Sequence, residues 1–590
     1  MGRKVFAAVL AAALAGCATV PAAPPAPATV EVKIIAFNDF HGNLEPPRQS
    51  VAVPGTGSDA EPPLRVPAGG AAWLAAAIER LRAANPNHAV VSAGDMIGAS
   101  PLVSALFLDE PTILAMNLIR VDFNAVGNHE FDRGRAELLR MQDGGCARNT
   151  ARTPCAVDAD FPGADFRFLA ANVATESGEP LFPAHGMRRY GSGAGEIRVA
   201  FIGLPLRETP TLVTPAGVAG LTFGDEAEAV NALVPRLRAA GADAIVVLIH
   251  QGLNPPRDYP GVGCDGLDGD LRPVLDRLDP EVDLVVSGHT HFAYVCDYAS
   301  VDPGRPFLVT SAGRYGSMVT DIDLTIDPAR GDVVARRAAN VIVQSEAYES
   351  GGTLVATSDL IPAFDPEPAV RALVERYAAA AAPLAARTVG RLAAPALRAS
   401  TPSGEQVLGD LIADSQLAAT RAPEAGGAQI AFMNGFGVRA DLVPAADGSV
   451  TYGQLFAAQP FGNSLVVKSF TGAQIKALLE QQWNSGSNSV ERPNMLMPSQ
   501  GLAYSYDLSR PAGQRILDLR LDGAAIRDEA VYRVTMNSFL ATGGDNFTVF
   551  LEGSDPLGGP LDIDALEAWI AASSPLTPPA PDRIADVTPR

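Results

Sequence analysis

Short apolar runs that end in polar, glycine-flanked clusters recur along the first half of this chain. Residues 30–37 (VEVKIIAF) run into Asn38, Asp39, Phe40, His41 and Gly42, and residues 88–92 run into Ala93, Gly94 and Asp95. Residues 123–126 run into Gly127, Asn128, His129, Glu130 and Asp132. Residues 244–249 lead to His250, Gln251 and Gly252, and residues 282–286 lead to Ser287, Gly288, His289, Thr290 and His291. Near-continuous apolar runs of this length predict strands buried on both faces. Between them, residues 69–84 place Leu74, Ala77, Ile78 and Leu81 at i, i+3, i+4 and i+7, the spacing of one helix face. Further helices are expected around 111–119 and at 226–239, and further strands at 167–173, 197–204, 306–310 and 318–326. This alternation predicts an α/β layered fold. Ligands of open α/β sheets gather outside the carboxyl ends of the strands, which is where the five polar clusters fall.

The second half reads differently. Residues 345–365 have the character of a linker, and 367–381 form a helix with Val370, Leu373, Val374 and Tyr377 on one face. A smaller α/β unit follows, with helix-like 409–420, then 428–433, a strand at 464–470, 532–537, and a closing helix at 563–572. Residues 575–590 are proline-rich and expected to fray. A chain of 590 residues is too long for one core. The expected division is therefore a domain at 30–345, a linker and hinge helix at 346–387, a smaller domain at 388–572 and a tail at 573–590.

The start of the chain predicts export. Gly2, Arg3 and Lys4 are followed by an apolar run, residues 5–15, too short to span a bilayer. The run closes in Leu14-Ala15-Gly16-Cys17, which resembles a bacterial lipobox. That resemblance implies a signal peptide at 1–17, acylation of Cys17, a Pro/Ala tether at 18–29 and a cell-envelope lipoprotein, with Ala18 pointing to the outer membrane. Four cysteines remain, Cys146, Cys155, Cys264 and Cys296, an even number suited to an oxidising compartment. Three pairings are open; nearness in sequence favours Cys146 with Cys155 and Cys264 with Cys296.

Charge narrows the partners. The formal net charge of −21 argues against nucleic-acid wrapping, but leaves small anionic substrates open. Five of the seven histidines (His41, His129, His250, His289 and His291) stand at predicted strand ends. Four of these, His41, His250, His289 and His291, together with Asp39, Asp95 and Asn128, supply the imidazole, carboxylate and amide donors that hard and borderline divalent cations take. No cysteine lies among them, which argues against a thiolate zinc site. Seven donors suit two ions, and Asp95, between the two groups in chain order, is the natural bridge. Paired ions can clamp a phosphate and activate a water for in-line attack.

The segments NDFHG, SAGD, GNHEFD, IHQG and GHTH, in this order, resemble those of the calcineurin-like metallophosphoesterases, and more closely the 5′-nucleotidase and UDP-sugar hydrolase family. The resemblance implies a four-layer sandwich with helices flanking two β-sheets, a hinge helix and a smaller C-terminal substrate domain that rotates to carry substrate. It implies that Asp39, His41 and His291 hold one ion (zinc, manganese or cobalt), that Asn128, His250 and His289 hold the other, and that Asp95 bridges. It implies that His129, oriented by Asp132, contacts the transferred phosphate. In the smaller domain it places base stacking on Phe461 and Phe539, a base contact on Asn463, a ribose contact on Asp545, and phosphate or substrate contacts on Asn434 and Arg439. Here the family's NGGGIR-like segment reads NGFGVR, with Phe436 in place of a glycine, and no arginine lies near Gly404 where well-studied members carry them.

The expected protein is thus an exported hydrolase, monomeric or dimeric, that removes the 5′-phosphate from nucleotides. A 2′,3′-cyclic nucleotide phosphodiesterase or UDP-sugar hydrolase is the near alternative, and a non-catalytic envelope binding module the distant one.

Overall fold

The computed structural model describes residues 29–56, 62–150, 152–192, 195–213, 215–255, 261–350, 353–486 and 488–589. The expected signal segment, Cys17 and all but the end of the tether lie outside the described residues.

Alternate side chains of each central strand enter different cores. Val32, Ile34 and Ala36 of the strand Val30–Phe37 share a cluster with Val246 and Leu248 of the strand Ala244–His250. Ile35 and Phe37 turn the other way and share a core with Leu74 and Ile78 of the helix Ala71–Ala84. Ile245, Val247 and Ile249 likewise meet Val230, Val234 and Leu237 of the helix Glu226–Ala239. Two sheets are therefore packed face to face between helices, giving four layers. Strands covered on both faces have few positions for polar side chains, so their sequences read as near-continuous apolar runs, with Lys33 buried against Asp321 and Asp323 as an exception.

The first sheet has six strands in the order Asp332–Ile342, Met318–Asp327, Val30–Phe37, His88–Ser92, Phe123–Ala125 and Arg167–Leu169. Its last four run parallel. In the second, seven-stranded sheet, Ala244–His250 lies between Ile197–Pro205 and Leu284–Ser287, parallel to both. The single strand expected at 167–173 is two: Val173–Thr175 leaves the sheet and pairs with Leu221–Phe223. Cys146 is bonded to Cys155 and Cys264 to Cys296, with Cα–Cα distances of 5.6 and 4.9 Å.

The segment expected as a linker carries a small hairpin, Tyr348–Ser350 with Thr353–Val355. The helix Pro368–Ala385 then lies against the first domain. Its Tyr377 sets a ring edge against Phe107 at 5.2 Å and donates a 2.8 Å hydrogen bond to Asp158. The smaller domain is built on a five-stranded sheet in which Ile430–Asn434 and Val531–Asn537 are parallel neighbours.

The tail does not fray. Ile584–Asp586 pairs parallel with Leu502–Tyr506. Arg583 makes two 2.8 Å hydrogen bonds to the carboxylate of Asp414, and buried Glu405 accepts the backbone N–H groups of Arg583 and Ile584 at 3.0 and 3.1 Å. The proline-rich composition concealed a short strand whose hold comes from charged partners distant in sequence. Arg583→Ala leaves Asp414 without its cation, a loss worth about 3–5 kcal/mol for a buried pair. Urea unfolding followed by tryptophan emission is expected to show a lowered midpoint for the smaller domain; an unchanged midpoint contradicts this account of the tail.

Candidate metal centre

The carboxyl ends of strands from both sheets open onto one rim. Asp39 and His41 follow Val30–Phe37, Asp95 follows His88–Ser92, and Asn128 and His129 follow Phe123–Ala125. From the second sheet come His250, the last residue of its strand, and His289 and His291 after Leu284–Ser287. Reaching the rim requires unusual backbone: Asp39, His41, Asp95, His289 and His291 all have positive φ, between 48° and 69°. Such strain in non-glycine residues is held only where surrounding structure demands it, and it clusters at functional sites. Close approach also requires glycine: a Cβ on Gly127 would lie 2.2 Å from Asp95 Oδ1.

Two donor clusters result. Asp39, His41 and His291 form one, and Asp95, His250 and His289 the other, with the donor atoms of each within 4.8 Å of one another. Asn128 borders the second cluster, its Oδ1 lying 3.1 Å from His289 Nδ1. Asp95 Oδ2 faces both, 2.9 Å from His250 Nε2 and 3.6 Å from His41 Nε2.

The ring tautomers show that these donors fit a cation. His250 Nδ1 donates to the carbonyl of Ala93 at 2.8 Å, and His41 Nδ1 donates to that of Gly98 at 2.9 Å, because a carbonyl can only accept. In the neutral rings both Nε2 lone pairs then point into the rim. His250 Nε2 is buried without a hydrogen-bond partner, although a carboxylate oxygen lies 2.9 Å away, and His41 Nε2 faces His291 Nε2 at 3.1 Å. Lone pairs and carboxylates at such distances repel unless positive charge lies between them. Burial opposes ionisation of Asp39, yet His291 and His41 hold its carboxyl well below the ordinary range. Burial also opposes a charge on His250, but Asp95 raises its pKa to about 9. A divalent ion would take the place of that proton, and imidazole, carboxylate and amide oxygen match its chemistry.

His129 stands beside the clusters without joining either, its ring 5.2 Å from that of His41. Its Nδ1 lies 2.9 Å from Asp132 Oδ2, and its backbone N–H donates to Asp95 Oδ1 at 2.9 Å. Burial works against a charge here as well, but Asp132 and Asp95 raise its pKa to about 10.

Residues to which the sequence assigns no role support the rim. Glu130, buried beneath the rim, accepts the backbone N–H groups of Asp95, Met96 and Gly127 at 3.0, 2.9 and 2.7 Å. Burial, then the nearby Asp95 carboxylate, raises its pKa to about 7. Asn38 donates 2.7 Å hydrogen bonds to Asp39 and to the carbonyl of Gly313. Both sit inside the polar segments already singled out, where a polar residue next to a candidate donor is the available signal. Tyr315, whose ring lies 5.9 Å from His41 and 5.7 Å from His291, gives no such signal.

The C-terminal candidates lie at a strand end (Asn434), on short helical turns (Phe539, Asp545) and on loops (Arg439, Phe461, Asn463) of the smaller domain. Phe461 and Phe539 are 42% and 44% exposed, unusually open for large aromatics. Arg439 sets its guanidinium 5.7 Å from the centre of the Phe461 ring. Asn463 is near Ser538 at 3.3 Å and Asp562 at 3.5 Å, and Asn434 donates to Asp545 at 2.8 Å. Gly462 abuts the rim: a Cβ there would be 3.0 Å from Ala99 Cα.

Residues 32–293 match the calcineurin-like phosphoesterase family, and residues 388–552 match the 5′-nucleotidase C-terminal domain. The chain belongs to the 5′-nucleotidase family of calcineurin-like phosphoesterases. It is 26% identical over 602 residues to a probable 5′-nucleotidase of Treponema pallidum, covering 92% of this chain and 91% of that one. It is 29% identical over 544 residues to the endonuclease YhcR of Bacillus subtilis, covering 92% of this chain but only 40% of the relative's length. Among solved structures, a 5′-nucleotidase precursor from Thermus thermophilus superposes with a TM-score of 0.54 at 27% identity, covering 95% of this chain and 100% of that one. The two matched segments fall in the four-layer domain and in the smaller domain.

His41→Ala and His250→Ala each remove a donor from a different cluster. Elemental analysis of the purified variants is expected to show less bound divalent metal than wild type in each case, and the least in the double variant. Full metal retention in all three contradicts the assignment. Acidification is expected to weaken metal binding as protons compete for the ring nitrogens.

Proposed function

We propose that this protein is an exported two-metal phosphohydrolase that removes the 5′-phosphate from nucleotides. The observation that carries the reading is the pair of donor clusters, with Asp95 of one facing His41 of the other and His129 beside them. Two divalent ions, when bound, would supply Lewis acidity to the phosphoryl group and lower the pKa of an attacking water. Asp39, His41 and His291 would hold one, Asn128, His250 and His289 the other, with Asp95 between.

His129 presents its Nε2–H to a phosphoryl oxygen and offsets the negative charge that grows there. Asp132 accepts a hydrogen bond from Nδ1–H and favours the doubly protonated ring, so that Nε2–H is available as well and the ring needs no reorganisation as charge develops. The leaving nucleoside is read by the smaller domain. Phe461 and Phe539 offer exposed faces for base stacking, Asn463 a base contact, Asp545 an acceptor for ribose hydroxyls, and Arg439 a contact to the rest of the substrate. The packing of Gly462 on Ala99 supports this, because it brings the Phe461 loop to the edge of the catalytic rim. Nucleotide sugars and 2′,3′-cyclic nucleotides are the nearest alternative substrates; the missing arginines near Gly404 favour them by weakening the hold on a terminal phosphate. The two disulfides support an oxidising compartment, in line with lipidation at Cys17.

Phosphate release from AMP, UMP, UDP-glucose, 2′,3′-cAMP and bis(p-nitrophenyl) phosphate, with manganese, zinc or cobalt supplied, tests the activity. Fastest release from the monophosphates is expected; faster turnover of another class reassigns the substrate, and no turnover of any leaves a binding module. His129→Ala is expected to keep its metal and lose about 10²–10³ in kcat. An unchanged rate removes His129 from the mechanism.

A further inference from the structure

The resemblance assigns Asn434 to the substrate, but its side chain is already committed within the protein. Asn434 is the last residue of the strand Ile430–Asn434 and is buried at 4% exposure. Its Oδ1 accepts a 3.0 Å hydrogen bond from Asn537 Nδ2, and its Nδ2 donates a 2.8 Å hydrogen bond to Asp545 Oδ2. Asn537 ends the parallel neighbouring strand Val531–Asn537 and is 1% exposed. Its own Oδ1 accepts the backbone N–H of Leu540 at 2.9 Å, capping the short helix Ser538–Ala541 that carries Phe539.

Asp545 is held from its other side too. It has a φ of 55°, and its carbonyl accepts from Asn488 Nδ2 at 2.8 Å. Among the described residues no further hydrogen bond reaches its second carboxylate oxygen. The ring of Phe539 packs over the preceding Gly544, where a Cβ would meet the ring at 2.6 Å. One bonded chain thus runs from the cap of the Phe539 helix, through two buried amides, to the Asp545 carboxylate.

The geometry points to Asn434 and Asn537 as positioning residues that aim Asp545 at a vicinal diol, rather than as contacts to substrate. This rests on the reading of Asp545 as the acceptor for ribose hydroxyls. Two buried amides at the ends of adjacent parallel strands fix one oxygen of the carboxylate and leave the other to accept from a sugar hydroxyl. An unanchored aspartate would have to be ordered when substrate arrives, at an entropic cost in binding. The consequence is selectivity for ribose over 2′-deoxyribose.

The test compares kcat/KM for AMP and 2′-deoxy-AMP in wild type, Asn434→Ser, Asn537→Ala, Asp545→Ala and the double variant Asn434→Ser/Asp545→Ala. Metal content and thermal melting report whether each variant has folded. Wild type is expected to prefer AMP. Each single variant is expected to lower that preference by about tenfold, the worth of one hydrogen bond to a charged group, chiefly through KM for AMP. In the double variant, loss of Asn434 should add nothing to the loss of Asp545, because the two act through one carboxylate. Additive losses, or equal losses on both substrates from Asn434→Ser, overturn the proposal and return Asn434 to direct substrate contact. If Asp545→Ala leaves the AMP preference intact, the ribose reading of Asp545 itself has failed. If Asn537→Ala does not fold, Asn434→Ser and the double variant still decide.

Discussion

Two buried carboxylates, Asp39 and Asp95, face imidazole lone pairs across less than 4 Å, and that arrangement is stable only with positive charge among them. Much else in the larger domain serves it. Both sheets point their carboxyl ends at one rim, so donors far apart in sequence meet there. Five donor residues adopt left-handed backbone, and glycines clear space beside them. Glu130 gathers three backbone N–H groups from the two loops that carry Asp95 and Asn128, tying them beneath the rim.

The same constraint explains what was legible in the sequence. Fully buried strands must be apolar, and ligand loops must be polar and glycine-rich, so the alternation of the two marked both the layers and the rim. The polar segments named the donors before any geometry was known. Tyr315 was not legible, because nothing local distinguishes a tyrosine that will lie beside two histidines of the rim. The tail strand Ile584–Asp586 was hidden for a related reason: Arg583, Asp414 and Glu405 become partners only once the chain has folded. The two strands in place of one at 167–173 show the limit of apolar runs as a guide, since Val173–Thr175 finds its partner in Leu221–Phe223 outside the sheet.

The smaller domain achieves order by other means. Its candidate reader residues sit on loops, short helical turns and a strand end, where backbone alone gives little precision. Buried amides supply it instead: Asn537 caps a helix, Asn434 ties two strand ends to the Asp545 loop, and Asn488 holds that loop from behind. Such networks are costly when partly satisfied and rigid when complete, which suits residues that must be held still while leaving one face open.

Asp132 Oδ2 has two partners. It lies 2.9 Å from His129 Nδ1 and accepts the backbone N–H of Ala99 at 3.1 Å. Ala99 is also the residue on which Gly462 rests. A single oxygen atom is therefore common to the orienting of the imidazole and to the seam between the domains. Lifting the smaller domain off Ala99 would loosen one partner of that oxygen and shift the balance felt by the other, so that the chemistry and the docking of the lobes answer to the same atom.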